Sequence, residues 1–166
     1  MTAAIPLSNL ADIALRRGDL TEARRLSNEQ LAVARADDDD LNVADACARL
    51  AWTAALEGNF DEARRLLPQL LRILSELGAL HPFPVLALAA IIAAHCGRRS
   101  DAAKVFGAIA AHRARTGAQW WHDSVVTRAI VDTEQALLES GYAPSHEEGR
   151  KLSPEEMFEL ALRAIA

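Results

Sequence analysis

The chain has 166 residues, of which 51% are apolar and only 5% aromatic, and its formal net charge is −5. This length favours one domain with a real core, and a core built mostly from Ala, Leu, Ile and Val favours packed helices over a sheet. The acidic balance argues against a general nucleic-acid surface, which needs an excess of Lys and Arg.

Cysteine content and hydropathy predict a cytoplasmic protein that does not cross a membrane. Cys47 and Cys96 are the only cysteines, which is too few to staple a disulfide scaffold. The N-terminal segment lacks the basic start and the continuous apolar stretch of a signal peptide. The longest apolar run, residues 84–94, is shorter than the roughly 20 residues that a bilayer-spanning helix needs, so it indicates a buried helix.

One phrase of the sequence occurs twice. GDLTEARRL, at residues 18–26, recurs as GNFDEARRL at residues 58–66, and Gly97 begins a third, degenerate copy. The three glycines are 40 and 39 residues apart, and a fixed period in this range marks a repeat architecture. Each unit is interpreted as helix, tight turn and helix, because Gly supplies the left-handed conformation of a helix C-cap.

In chain order, the pattern predicts helices over residues 4–17, 20–36, 41–57, 60–77, 83–96 and 99–116. The DDDD stretch at residues 37–40 is interpreted as a solvated linker that supplies a helix N-cap, in preference to a calcium site. Pro68 removes one backbone hydrogen bond inside the fourth helix, where we expect a kink. A longer helix is expected over about 120–140, where Gly141 stops it.

Side chains at the turns predict the helix caps. Asp19 and Asn59 follow the first two glycines and are expected to cap the next helix, with Glu22 and Glu62 completing capping boxes. Each Glu also precedes an Arg by three residues, which suits a surface ion pair. One position holds Ala in every copy, where a larger side chain would push the paired helices apart: residues 23, 63 and 102.

The tail predicts one further helix, in which Ser153 is the N-cap, Pro154 takes the first helical position and Glu156 closes a capping box. The whole chain, residues 1–166, is therefore expected to be a single all-α domain. Its architecture is predicted to be a right-handed superhelical stack of helical hairpins with a C-terminal helical cap. The hairpins are expected at about 4–36, 41–77 and 83–116, and the cap at about 119–166.

The GDLTEA and GNFDEA turns resemble those of tetratricopeptide (TPR) hairpins, although the 40-residue period is longer than usual. Such long units resemble those in the sensor region of bacterial transcription regulators of the MalT and LuxR type, and of related signal-transduction ATPases. The tail is similar as well. EEGRKLSPEEMFELAL, at residues 147–162, looks like the segment that closes this region, where E-G-R-x-[LM]-S-x-E-E-A is customary. Met157 and His146 depart from that pattern, which usually has Ala and Trp there.

The resemblance implies a non-catalytic regulatory module that binds a protein or peptide partner or a small-molecule effector, without a cofactor. In such regulators an ATP-binding module lies upstream and a DNA-binding helix-turn-helix lies at one end. This sequence has neither a phosphate-loop motif nor a Lys- and Arg-rich reading helix, so no direct nucleic-acid binding is expected. We expect either a fragment with ATPase and DNA-binding domains as neighbours, or a stand-alone adaptor that mediates protein contacts as a homodimer.

Two residue clusters that suggest chemistry are better explained by structure. WWHDS, at residues 120–124, places His, Asp and Ser side by side, but neighbours on a helix point about 100° apart, whereas the members of a catalytic triad must converge. His95, Cys96, His112 and His122 are metal-ligand types, but their spacing matches no known metal motif. We therefore expect neither enzyme activity nor a metal site.

The first helix of each hairpin is expected to line a concave face. Six side chains there form the candidate binding groove: Asp12, Asp45, Arg49, Trp52, Ile91 and His95. A Trp among charged residues suits a peptide or a small ligand, because it offers contact area and one donor at little entropic cost. The alternative interpretation is that Trp52 fills the core between repeats.

Overall fold

The computed structural model describes residues 4–76, 83–118 and 124–166. In these ranges the chain is all-α and contains no strand, which confirms the predicted fold class. The predicted bounds of the first six helices are correct to within one residue. The helices are α1 (Ala4–Arg17), α2 (Leu20–Ala36), α3 (Asp40–Leu56), α4 (Phe60–Glu76), α5 (Phe83–His95), α6 (Arg99–Thr116), α7 (Val125–Leu137), α8 (Ala143–Gly149) and α9 (Pro154–Ile165).

Contacts group the chain into two compact units: Met1–His81 with Ser124–Val126, and Pro82–Asp123 with Thr127–Ala166. In the first unit α1 packs on α2, α2 on α3 and α3 on α4, and α1 also touches α3. The two helical hairpins predicted for this part of the chain are therefore confirmed. Pro68 lies inside α4, and the kink expected there stays a prediction, as does the assignment of the whole chain to one domain.

The turns between helices share one backbone geometry. Gly18, Gly58 and Gly97 have φ angles of +81°, +80° and +84°, so the predicted left-handed caps are confirmed. After each of them, the next residue donates its N–H to a carbonyl five residues earlier, and that acceptor is Ala every time. The bonds run from Asp19 to Ala14 (3.0 Å), from Asn59 to Ala54 (2.8 Å) and from Arg98 to Ala93 (2.9 Å). This is the pattern of a Schellman C-cap.

The linker between the first two hairpins uses the same turn without Gly. Asp38 has a φ of +51°, and Asp39 donates its N–H to the carbonyl of Ala34 at 2.9 Å. The Asp39 carboxylate then caps α3 by accepting the N–H of Asn42 at 3.0 Å, as predicted for this linker. Because Asp38 lies midway between Gly18 and Gly58, the turn recurs every 20 residues as well as every 40.

Asp19 and Asn59 cap the next helices as predicted, accepting the N–H groups of Glu22 and Glu62. The capping boxes predicted there are wrong, because the backbone N–H groups of Asp19 and Asn59 are already used in the preceding C-cap. Glu22 instead binds Arg25 at 2.7 Å, as the ion-pair prediction required.

Glu62 does not follow the same local rule. Its predicted partner was Arg65, but its carboxylate binds Arg24 of the preceding hairpin at 2.6 Å. Arg24 also binds Glu57 at 2.5 Å. Two carboxylates around one guanidinium make a stronger site than a single neighbour three residues along the helix, and Arg24 lowers the pKa of Glu62 through its hydrogen bonds.

In the second unit α5 packs on α6 and α9, and α6 also contacts α8 and α9. Every α5 residue from Val85 to Ala93 is buried, so the predicted buried helix is confirmed. A helix that is buried on all sides needs no polar face, which accounts for its unbroken apolar run. The three Ala positions of the repeat, residues 23, 63 and 102, are all fully buried.

The helix expected over 120–140 differs from the prediction. Its first residues, 119–123, lie outside the described ranges; from Val125 it runs to Leu137 and then loosens into a π-helical turn, Leu138–Tyr142. Gly141 has a φ of +92°, so the chain changes direction near the predicted stop. A short helix that the sequence did not predict, α8, follows.

The α8 helix crosses α6 with the two backbones in contact. A Cβ added to Gly107 would lie 1.9 Å from the carbonyl oxygen of His146, and one added to Gly149 would lie 1.9 Å from that of Lys104. Only Gly fits at either place. Beyond α8, Ser153 and Glu156 form the predicted capping box of α9, with Pro154 in its first turn.

Replacing Asp38 with Gly is expected to raise the free energy of unfolding by about 0.5–1 kcal/mol, because Gly removes the steric cost of a positive φ. Asp37→Gly is the matched control, since Asp37 has an ordinary φ of −96° and Gly there only adds chain entropy to the unfolded state. Urea titrations followed by circular dichroism measure both. Equal destabilisation by the two substitutions would contradict this account of the turn.

Candidate interaction surface

Three of the six groove candidates lie on one face of α3. Asp45, Arg49 and Trp52 are spaced by four and three residues, which places their side chains along one stripe of the helix. The first two bind each other: the two terminal nitrogens of Arg49 donate to the two carboxylate oxygens of Asp45, at 3.0 and 2.7 Å. This is the two-point geometry in which Arg binds carboxylates best.

This ion pair is part of a larger polar cluster that joins three helices. The Ser8 hydroxyl of α1 donates to Asp45 at 2.7 Å and accepts from Arg49 at 3.1 Å. Gln30 of α2 accepts from Arg49 through its side-chain oxygen and donates to the Asn42 side chain at 3.1 Å. We call Ser8, Gln30, Asn42, Asp45 and Arg49 the polar cluster.

Sequence reasoning found two members of the polar cluster and missed three. Ser8, Gln30 and Asn42 were not candidates, because their spacing to Asp45 has no meaning until α1, α2 and α3 are packed together. One signal was available for Gln30. It stands between Leu26 and Ala34 on the buried face of α2, where a fully buried amide must find hydrogen-bond partners.

Burial and charge act on Asp45 in opposite directions. Partial burial by itself raises the pKa of the carboxyl group, but the hydrogen bonds and positive charge of Arg49 lower it more, helped by Ser8 and Gln30. The net pKa of Asp45 lies below its usual range. Its side chain is still 43% exposed while Arg49 is buried, so the cluster presents an ionised carboxylate to solvent above a buried cation.

Trp52 lies inside the first unit. The residue is 3% exposed, and its indole Nε1 is buried without a hydrogen-bond partner among the described residues. This is the placement that the alternative interpretation, a Trp that fills the core, requires. A buried ring offers no open platform to a ligand in this conformation.

The remaining candidates are not part of the polar cluster. Asp12 pairs with Arg16 one turn later on α1, at 2.8 Å. Ile91 and His95 belong to the second unit, where Ile91 is buried in α5 and His95 is the exposed last residue of that helix. The structure thus brings together Asp45 and Arg49 in direct contact.

Other chemistry is limited in the part of the chain that the structure describes. In it, no group of three or more His, Cys, Asp or Glu side chains is placed to hold a metal ion. None of the described helices has the length and hydropathy of a membrane span. Of the WWHDS stretch, residues 120–123 lie outside the described ranges, and Ser124 is fully buried.

Comparison with known proteins supports the repeat. Residues 2–76 match the family model described as tetratricopeptide repeat. This range spans α1 to α4, the two hairpins in which the 40-residue period is strongest. No curated protein and no solved structure matches the chain significantly.

The low pKa of Asp45 predicts an acid-sensitive contribution to stability. Because its folded-state pKa lies below the unfolded value of about 3.9, the ionised form stabilises the fold above that pH, and this is lost as the pH falls through the folded pKa. We expect the difference in unfolding free energy between the wild type and Asp45→Asn to be constant near neutral pH and to shrink below about pH 4.

The matched measurement is a double-mutant cycle with Arg49→Met, run by urea unfolding at neutral and acidic pH. Arg49 is the main group that lowers the pKa of Asp45, so the coupling energy between the two sites should fall on acidification. A coupling energy that is the same down to about pH 3 would show that the pair does not act through the charge of Asp45.

Trp52→Ala is expected to lower the free energy of unfolding by about 3–5 kcal/mol, because it leaves a cavity in the first unit. Trp52→Phe should cost much less. It keeps a buried aromatic ring and removes an N–H that makes no hydrogen bond to the described residues. Chemical unfolding measures both. If the Ala variant is as stable as the wild type, Trp52 is not a core residue and its role in the groove regains support.

Proposed function

Because its first two hairpins match the tetratricopeptide repeat, we propose that this TPR-like repeat protein is the sensor domain of a bacterial transcription regulator of the LuxR and MalT type. TPR repeats form protein-interaction domains, and such all-helical repeats typically act as non-catalytic scaffolds. In the proposed role, a protein, a peptide or a small effector binds the repeat in the cytoplasm. Neighbouring ATPase and DNA-binding domains respond.

The observation that carries this proposal is the closing phrase of the chain, whose residues all have places in the fold. Glu148 binds Lys104 of α6 at 2.9 Å, and Gly149 allows the close crossing of α6 and α8. Ser153 and Glu156 then cap α9. The residues through which the tail resembles the end of a regulator sensor region are therefore those that fasten the tail to α6 and start the last helix.

The polar cluster supplies a chemical basis for recognition. A partner that approaches α3 meets the exposed, ionised carboxylate of Asp45, held in a fixed position by Arg49 and Ser8. A group with hydrogen-bond donors, such as an amide or an ammonium, suits this carboxylate. Binding that changes the spacing of α1, α2 and α3 would alter the packing of the repeat and thereby bias neighbouring domains.

The purified chain is expected to fold, to show no turnover in a broad hydrolase screen and to leave DNA unshifted in a mobility assay at physiological salt. Sequence-specific DNA binding by this chain alone would contradict the proposed sensor role. The DNA that precedes the Met1 codon gives the second readout. An in-frame continuation that encodes a phosphate loop supports the regulator.

A stand-alone adaptor is the second candidate, and the exposed aliphatic side chains of α1 favour it. Leu10 and Ile13 lie on the surface of the first hairpin, where a homodimer could bury them. For this candidate, a ribosome-binding signal is expected directly before the Met1 codon. Light scattering is expected to give twice the mass of one chain.

A further inference from the structure

The exposed side of α1 has a counterpart in the same chain whose partner is visible. The 40-residue period aligns α1 with α3, matching Leu10 with Leu50 and Ala11 with Ala51. Each residue of α1 therefore has the same register on its helix as the residue 40 positions later. What covers a given position of α3 shows what the matching position of α1 is shaped to accept.

On α3, this register faces the preceding hairpin. Asp45 and Arg49 bind Ser8 of α1 and Gln30 of α2, and α3 packs against both helices. Two apolar and small side chains complete the interface: Leu50 is 5% exposed and Thr53 is 0% exposed.

On α1, the matching positions are bare. Leu10, which matches Leu50, is 53% exposed, and Ile13, which matches Thr53, is 46% exposed. Every α1 position that matches this interface is exposed, and together these residues define the outer face of α1: Ile5, Pro6, Asn9, Leu10 and Ile13.

The chemistry of the outer face differs from that of α3 in one direction. Ile5 stands where α3 has Asp45, and Asn9 stands where it has Arg49. The ion pair that needs Ser8 and Gln30 as partners is therefore absent from α1, and an aliphatic surface replaces it. A partner for this face needs aliphatic side chains in place of Ser8 and Gln30. The second hairpin of this chain has that composition, with Ala48 and Leu70 at the matching positions.

We propose that the outer face of α1 is a docking surface for another helical hairpin of the same repeat class, with aliphatic side chains at the positions that match Ser8 and Gln30. The new interface continues, by one repeat, the interface that α1 and α2 form with α3. This inference does not depend on the regulator hypothesis, since it concerns only the first unit.

A second copy that docks through its own α1 is the competing occupant, and it is less suited to the face. An α1-to-α1 contact would bury few half-exposed aliphatic side chains from each chain, well below the roughly 800 Å² per partner of a standard interface. A hairpin covers the face with two helices at once, as α1 and α2 cover α3.

The test extends the full chain by a tandem copy of residues 1–40 placed before Met1. Residue 40 of the copy then precedes residue 1, as residue 40 precedes residue 41 in the native chain, so the register is kept. The copy carries Ser8→Ala and Gln30→Leu. The matched control is the same extended chain with Leu10→Glu and Ile13→Glu in the original α1. In the unextended chain these two substitutions lie on an exposed face and should change stability little.

We expect the extended chain to have a thermal midpoint several degrees above that of the native chain, and amide exchange in the original α1 to slow by about tenfold or more. Both gains should vanish in the Glu control. An extended chain with unchanged exchange in α1, or gains that survive the Glu substitutions, would overturn the proposal. Light scattering on the native chain adds a separate readout. A dimer that dissociates on Leu10→Glu would assign this face to a second copy and overturn the hairpin.

Discussion

The first unit depends on one backbone turn that ends its helices at intervals of 20 residues. A residue with positive φ reverses the chain, and the next N–H bonds to the carbonyl of a buried Ala five residues earlier. Because that N–H is consumed by the turn, the side chain of the same residue is left to cap the following helix, as Asp19, Asp39 and Asn59 do. One set of atoms thus ends one helix and starts the next, and this fixes the hairpins on which every other contact is built.

Between hairpins, specificity comes from polar side chains that differ from one repeat to the next. Arg49 is buried and Asp45 partly so, and desolvation offsets much of what their attraction contributes to stability. We therefore interpret the polar cluster mainly as a device that fixes how α3 sits against α1 and α2. The same positions in the second hairpin hold Ala48 and Leu70, and on α1 they hold Ile5 and Asn9. Each interface of this repeat thus has its own chemistry.

The candidate surface follows from this division of roles. Trp52, the residue that the sequence marked most strongly for binding, is buried in the first unit, whereas Asp45 remains open to solvent as an ionised acceptor. The aliphatic outer face of α1 and the carboxylate of Asp45 are different surfaces of one small unit. They suit different partners, a helical hairpin for the first and a hydrogen-bond donor for the second.

The sequence by itself determined the helices, the left-handed turns at Gly18, Gly58 and Gly97 and the caps at Asp19, Asn59 and Ser153. These features depend on atoms within about five residues of one another, so spacing and residue type suffice to predict them. Only the tertiary structure decided that Glu62 binds Arg24, that Gln30 and Ser8 surround Arg49, and that Gly107 and Gly149 allow α6 and α8 to touch. These partners are 19 to 42 residues apart in the chain, and their distances are set by how whole helices pack, which no local pattern records.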